Sequence, residues 1–99
     1  MYAVIRKYTD GPEFAEALAA RQSDIEEVIS PVAGFQSYFL VRTDDGCATI
    51  TVCDDKAGCE ESNQRAANWL REHASEIKSS PPQITSGEVL LQLGATARV

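Results

Sequence analysis

Phe35-Gln36-Ser37-Tyr38-Phe39-Leu40-Val41-Arg42-Thr43, then Asp44-Asp45-Gly46-Cys47, then Ala48-Thr49-Ile50-Thr51-Val52-Cys53-Asp54, is the stretch that decides the fold. Two runs rich in β-branched and aromatic residues flank a short polar segment, the pattern of a β-hairpin. Asp45-Gly46 is a strong two-residue turn signal, because glycine accepts the positive φ such turns demand. With the turn there, Val41 faces Ile50 and Phe39 faces Val52, and Ser37, Thr43 and Ala48 share their surface. The opposite surface carries Gln36, Tyr38, Leu40 and Arg42 with Cys47, Thr49, Thr51 and Cys53. The apolar surface is expected to be core. The semi-polar one, with Tyr38 and Leu40, is expected to be the uncovered face of a sheet.

Upstream, Asp10-Gly11-Pro12-Glu13 opens a helix, with Asp10 as cap, Glu13 at the capping-box position and Pro12 tolerated in the first turn. Phe14, Leu18, Ile25, Val28 and Ile29, with Ala15 and Gln22 between, recur at three and four and predict one continuous amphipathic helix. Ser30-Pro31 ends it, since a residue before proline avoids helical geometry, and Gly34 releases the chain into the hairpin. Tyr2 to Tyr8 reads as a first strand. Downstream, a second helix is predicted from Lys56 to Ile77, capped by Asp54 or Asp55, with Cys59, Asn63, Ala66, Ala67, Leu70, Ala74 and Ile77 facing inward. Ser79-Ser80-Pro81-Pro82 makes a turn, Ile84 to Leu93 a last strand, and residues 95–99 a frayed tail after a single domain over 1–94. The order β-α-β-β-α-β is the ferredoxin-like, α+β arrangement: an antiparallel four-stranded sheet with both helices on one face. A small domain rarely leaves the other face wet. A homodimer through the open sheet face is therefore expected, with Tyr38, Leu40 and Leu90 at the contact.

Composition bounds the partners. A chain of 99 residues and 10.8 kDa supports one modest core. Nine Lys and Arg against fifteen Asp and Glu give a net charge of −6, which argues against nucleic acid and against an anionic membrane surface. No apolar run approaches the roughly 18 residues of a membrane span. Met1-Tyr2-Ala3-Val4-Ile5-Arg6-Lys7 lacks the order of a signal peptide, so a cytoplasmic location is expected. Cys47, Cys53 and Cys59 then read as reduced thiols, and with His73 as the lone histidine no metal site is expected.

Gly34-Phe35 after a helix and a proline, the Asp45-Gly46 hairpin, and a second helix bearing Asn68-Trp69-Leu70 resemble the antibiotic biosynthesis monooxygenase-like domain of the dimeric α/β-barrel superfamily. Glu61-Ser62-Asn63, Ala66-Ala67, Trp69-Leu70-Arg71-Glu72 and Gly87-Glu88-Val89 are similar to a subgroup of small bacterial proteins. The resemblance spans nearly the whole chain and implies a dimeric barrel with a pocket between helices and sheet in each subunit. Family members include quinone-forming monooxygenases, haem-degrading enzymes and small-molecule oxygenases, some working without metal or flavin. Quinone-forming members place an Asn one turn before the helical Trp and a Tyr beyond it. Here Trp69 matches, while Arg65 and Ser75 stand at the other two places. Haem-degrading members use an Asn on the first strand and a His about ten residues past the Trp; Arg6 or Lys7 and Ser79 stand there instead. No cofactor is expected.

Trp69 and His73 are one helical turn apart and share a face. One reading puts them at a pocket mouth, Trp69 stacking on a planar ligand and His73 taking a phenolic proton; the other makes them packing and solvated surface. Asn63, polar on an inward stripe, either bonds a backbone group or points into the pocket. Arg6, Tyr38 and Phe39 are the candidate ligand contacts from the strands, with Tyr8 and Arg42 at similar alternating positions. Asp44-Asp45, Asp54-Asp55 and Glu60-Glu61 are explained by turn and cap chemistry. Two function classes follow: a cofactor-independent oxygenase acting on a small aromatic molecule through Trp69, His73 and Asn63, or a non-catalytic dimeric module that binds a small ligand or assembles.

Overall fold

Tyr2–Tyr8 forms β1, which lies between Gly46–Cys53 (β3) and Gln83–Glu88 (β4), with Phe35–Thr43 (β2) outside β3. All three pairings are antiparallel, in the order β2-β3-β1-β4. The computed structural model describes residues 1–73, 75 and 77–94. Helices Pro12–Ala19 (α1), Gln22–Ile29 (α2) and Lys56–Glu72 (α3) cover one face of the sheet, so the ferredoxin-like arrangement holds, with its first helix in two pieces.

The hairpin pairs Thr43 with Gly46, Val41 with Ala48 and Phe39 with Ile50, so the turn is Asp44-Asp45 and the register is shifted by two residues from the expected one. A two-residue slip leaves each side chain on its face. Gly46 is not in the left-handed region. Its role is a close approach: a Cβ there would lie 2.3 Å from the Tyr8 carbonyl oxygen, where β3 begins against the end of β1.

The two faces of the sheet are the reverse of the expectation. Cys47, Thr49, Thr51 and Cys53 are buried beneath the helices, and Tyr38 and Leu40 are half-buried on that same side. The apolar set faces away: Ile5, Phe39 and Val41 are 42%, 46% and 43% exposed. Alternation separates the two sets but does not say which one the helices cover. Arg6 decides it, because its guanidinium needs the hydroxyls of the polar set around it.

Three helix boundaries are also corrected. The stripe Phe14–Leu18 packs on β2 and β3 whereas α2 packs on α3, and the chain bends at Ala20-Arg21 to reach both surfaces. Asp10 does not cap α1: Gly11 occupies that position, and Asp10 Oδ1 accepts from the Ser80 backbone N–H at 2.9 Å. α3 is capped by Asp55, which accepts from Gly58 N at 3.0 Å, and it ends at Glu72 rather than Ile77. Its buried residues are Gly58, Cys59, Ser62 and Trp69, so the inward stripe is centred on Trp69 rather than Leu70, and Ala67 is exposed. Ile77 joins the core from beyond the helix, with Tyr8, Phe14, Leu18, Cys47 and Trp69. β4 stops at Glu88 rather than Leu93, although Val89 N still donates to the Met1 carbonyl at 2.9 Å. Ala74 and the tail 95–99 lie outside the described residues.

Gly46→Ala should lower stability by about 1–3 kcal/mol, because the methyl meets backbone that cannot step aside. Gly87→Ala, with nothing within 4 Å of its added carbon, should stay within about 0.5 kcal/mol of the parent. Urea unfolding of the two variants side by side checks the contrast, and equal midpoints would contradict it.

Candidate functional site

Position 6 sits mid-strand on the helix-facing side of β1, between Val4 and Tyr8, where an aliphatic residue is the rule. It is an arginine, 2% exposed. Register places Thr49 directly across from it and Thr51 one step along on the same face. Arg6 Nε donates to Thr49 Oγ1 at 3.1 Å and Nη2 to Thr51 Oγ1 at 2.6 Å. From above, α3 supplies Ser62 Oγ at 3.3 Å and Asn63 Oδ1, both accepting from Nη1. Ser62 donates its own hydrogen to the Cys59 carbonyl at 2.7 Å, which leaves its lone pairs for the guanidinium. One turn of α3 and two alternate residues of β3 thus build a cradle of neutral oxygens. Among the described residues no carboxylate pairs with Arg6. Arg42 pairs with Glu16 and Arg65 with Glu61 on the surface, each at 2.8 Å. Burial pulls the Arg6 pKa down, yet a guanidinium stays charged in proteins.

Arg6 is also one wall of a narrow cleft with a volume of about 30 Å³. That is room for a water or two, well below the roughly 300–1,000 Å³ of small-molecule pockets, so a ligand entering here must displace the side chains around it. Trp69, Tyr8, Tyr38 and Thr49 line it beside Arg6, and Leu18, Ile25, Val28 and Ile29 close it from α1 and α2. Burial pushes the Tyr8 phenol up to about 12 against the opposing pull of Arg6. Burial also raises the Tyr38 phenol, opposed by Arg6 and by a hydrogen bond with Thr49. Both rings therefore stand protonated at neutral pH. Cys47, Cys53 and Cys59 are buried free thiols, raised by the same desolvation, the first two to about 11.

The residues singled out from the sequence fall into three places. Arg6, Tyr38 and Trp69 meet in the cleft, and Asn63 stands behind Arg6, bonded to its guanidinium rather than to a backbone group. His73 caps the C-terminal end of α3, outside the cleft lining, with its ring stacked on that of Trp69 at 4.4 Å between centroids. Its Nδ1 is 2.9 Å from the Trp69 carbonyl oxygen. A carbonyl only accepts, so in the neutral imidazole Nδ1 carries the hydrogen and Nε2 keeps a lone pair. Phe39 lies on the opposite, open face of the sheet. Thr49, Thr51 and Ser62 escaped sequence reasoning as site residues. The signal for them was a Thr-x-Thr pair on the strand face that also holds an arginine.

No family model and no curated protein sequence matches the chain. Solved structures do. A protein of unknown function from Nitrosomonas europaea aligns at TM-score 0.69 and 23% identity, over 95% of this chain and 94% of that one. The haem-degrader MhuD of Mycobacterium tuberculosis, solved with two haems bound, aligns at 0.72 and 15%, over 95% and 100%. The ActVA-Orf6 monooxygenase of Streptomyces coelicolor, solved with nanaomycin D, aligns at 0.60 and 23%, over 92% and 91%. The fold is that of the antibiotic biosynthesis monooxygenase-like proteins. Within that monooxygenase-like fold, this chain lines its cleft with a buried cation and its single indole.

In the unfolded chain Cys47 and Cys53 ionise around their ordinary value of 9.0 and Tyr8 around 10.0, while the fold holds them protonated to about 11 and about 12. Between those limits the unfolded state binds fewer protons, so stability is full below about pH 9 and is lost as pH rises towards about 12. Denaturation midpoints measured across that window should fall, and Tyr8→Phe should flatten the upper part of the fall. A midpoint independent of pH would contradict the burial of these groups.

Proposed function

We propose that the protein is a homodimer that holds a small planar aromatic molecule in the cleft of each subunit, and that it oxidises this molecule with O₂ without a cofactor. The observation that carries the reading is the cleft itself. An indole, two protonated phenols and a ring of aliphatic side chains line one narrow cleft on a monooxygenase-like fold, and a planar ring enters it by pushing the aliphatic wall of α1 and α2 aside. Trp69 gives the surface on which an aromatic ring stacks. Asn63 positions the site through Arg6. His73, with its Nε2 lone pair, is the group assigned to remove a phenolic proton. Such an oxygenation needs the substrate to supply the electrons: one oxygen atom enters the ring and the other leaves as water. Haem does not fit the residues present. The chain's one histidine is turned to a backbone carbonyl and lies outside the cleft lining.

The dimer is supported by the open sheet face. Ile5, Phe39 and Ile50 form one cross-strand row there, and Ala3 and Val52 belong to the next. With Val41 they make an apolar patch of the kind a monomer rarely exposes. A second copy packing its own face on this one would cover both. The non-catalytic alternative, a dimeric ligand-binding module, is favoured by two observations: His73 does not line the cleft, and the two tyrosines that do are held protonated.

Two measurements test this. Sedimentation equilibrium at micromolar concentration should give twice the 10.8 kDa chain mass, and Phe39→Asp should halve it; a 10.8 kDa parent would end the dimer reading. Oxygen uptake with dihydroxyaromatic compounds should exceed the uncatalysed background, and Trp69→Phe should weaken substrate binding about 2- to 10-fold. Binding without oxygen uptake would select the module, and no binding would remove both readings.

A further inference from the structure

Arg6 is the one fully buried charged side chain among the described residues, and it has no counter-ion. A chain with fifteen carboxylates and a net charge of −6 places none of the described ones beside it. Instead it offers four neutral oxygens: two threonine hydroxyls, one serine hydroxyl and one amide carbonyl. A guanidinium has five N–H donors. Four acceptors therefore leave one donor unmatched, and neutral partners leave the whole charge uncompensated.

A purely structural role would not call for this. Neutral hydroxyls are as well served by an amide, and a buried structural arginine is ordinarily paired with a carboxylate, because an isolated buried charge is costly. The cost of desolvating Arg6 is met during folding, so an anion arriving later feels the attraction of a cation already stripped of water and locked in place. The cradle also fixes the plane of the fork, since its acceptors come from two sides, β3 and α3. Arg6 and Trp69 line the same cleft, so a molecule that opens it would meet both.

We propose that the ligand of this cleft is an anion: a small planar aromatic acid, whose carboxylate or phenolate oxygen accepts from Arg6 while its ring stacks on Trp69. This rests on the aromatic cleft proposed above and adds the sign of the charge. It assigns to Arg6 the choice between ionised and neutral ligands of the same shape, and to Thr49, Thr51, Ser62 and Asn63 the task of holding the guanidinium ready. For a phenolic ligand the same charge favours the phenolate, so the cleft itself promotes loss of the proton.

The test uses a pair of probes alike in shape and unlike in charge, 2-naphthoate and 2-naphthamide. Each is titrated into the full chain and followed by NMR at the indole N–H of Trp69, the chain's single tryptophan. The naphthoate should bind about tenfold or more tightly than the amide, and Arg6→Met should abolish that preference. Should Arg6→Met not fold, the unmodified chain still decides. The naphthoate should move the Arg6 side-chain N–H signals and the amide should leave them in place. Equal affinity for both probes, or Arg6 signals indifferent to the naphthoate, overturns the charge assignment but leaves the aromatic cleft standing. If neither probe moves the indole signal, the cleft reading and the inference fall together.

Discussion

A single guanidinium, desolvated at the centre of a sheet, constrains everything else in this small fold. Arg6 cannot be buried on an apolar surface without leaving its donors unmet, and each buried, unmet donor costs more than a made bond returns. The strand beside it therefore presents threonines inward at alternate positions, and the helix above presents a serine and an asparagine on adjacent residues. Those requirements fix the register of β1 on β3, the rotation of α3 about its axis, and the face of the sheet that the helices cover. Trp69 lies two turns along α3 from Ser62, so the rotation that brings Ser62 to Arg6 also turns the indole into the cleft.

The consequence for the other face is direct. Since the polar residues of the hairpin are drawn inward, the apolar ones, Phe39, Val41, Ile50 and Val52, are left outside with Ile5. In the proposed homodimer that apolar outside would be an interior shared with another copy. The polar cradle and the exposed apolar face are then two results of one choice, the placement of an arginine where a leucine would ordinarily stand.

Much of the architecture was legible in the sequence because it is written in local signals. The strands at Tyr2–Tyr8 and Phe35–Thr43, the Asp55 cap and the Ser30-Pro31 stop depend on residue type and short spacing. The misreadings share a cause: each was settled by a contact distant in sequence. The turn moved to Asp44-Asp45 because Gly46 must pass the Tyr8 carbonyl. The first helix broke because its two halves serve different neighbours. The sidedness of the sheet was inverted because hydrophobicity alone was allowed to choose the core, and one buried cation outweighs that rule locally. At the site, Trp69, Arg6 and Tyr38 were found by type and parity, whereas Asn63 entered through its partner rather than through a pocket. Thr49, Thr51 and Ser62 are silent residues in a sequence and speak only once the strands are paired.

The most direct measurement of this account is proton exchange at the Arg6 side chain. In ¹⁵N–¹H spectra of the full chain near neutral pH, one arginine should show resolved, slowly exchanging Nε and Nη hydrogens, lost on Arg6→Lys, while the surface arginines Arg42 and Arg65 exchange fast. If every arginine side chain exchanges at the rate of a solvated guanidinium, the buried cradle does not exist and the account built on it is wrong.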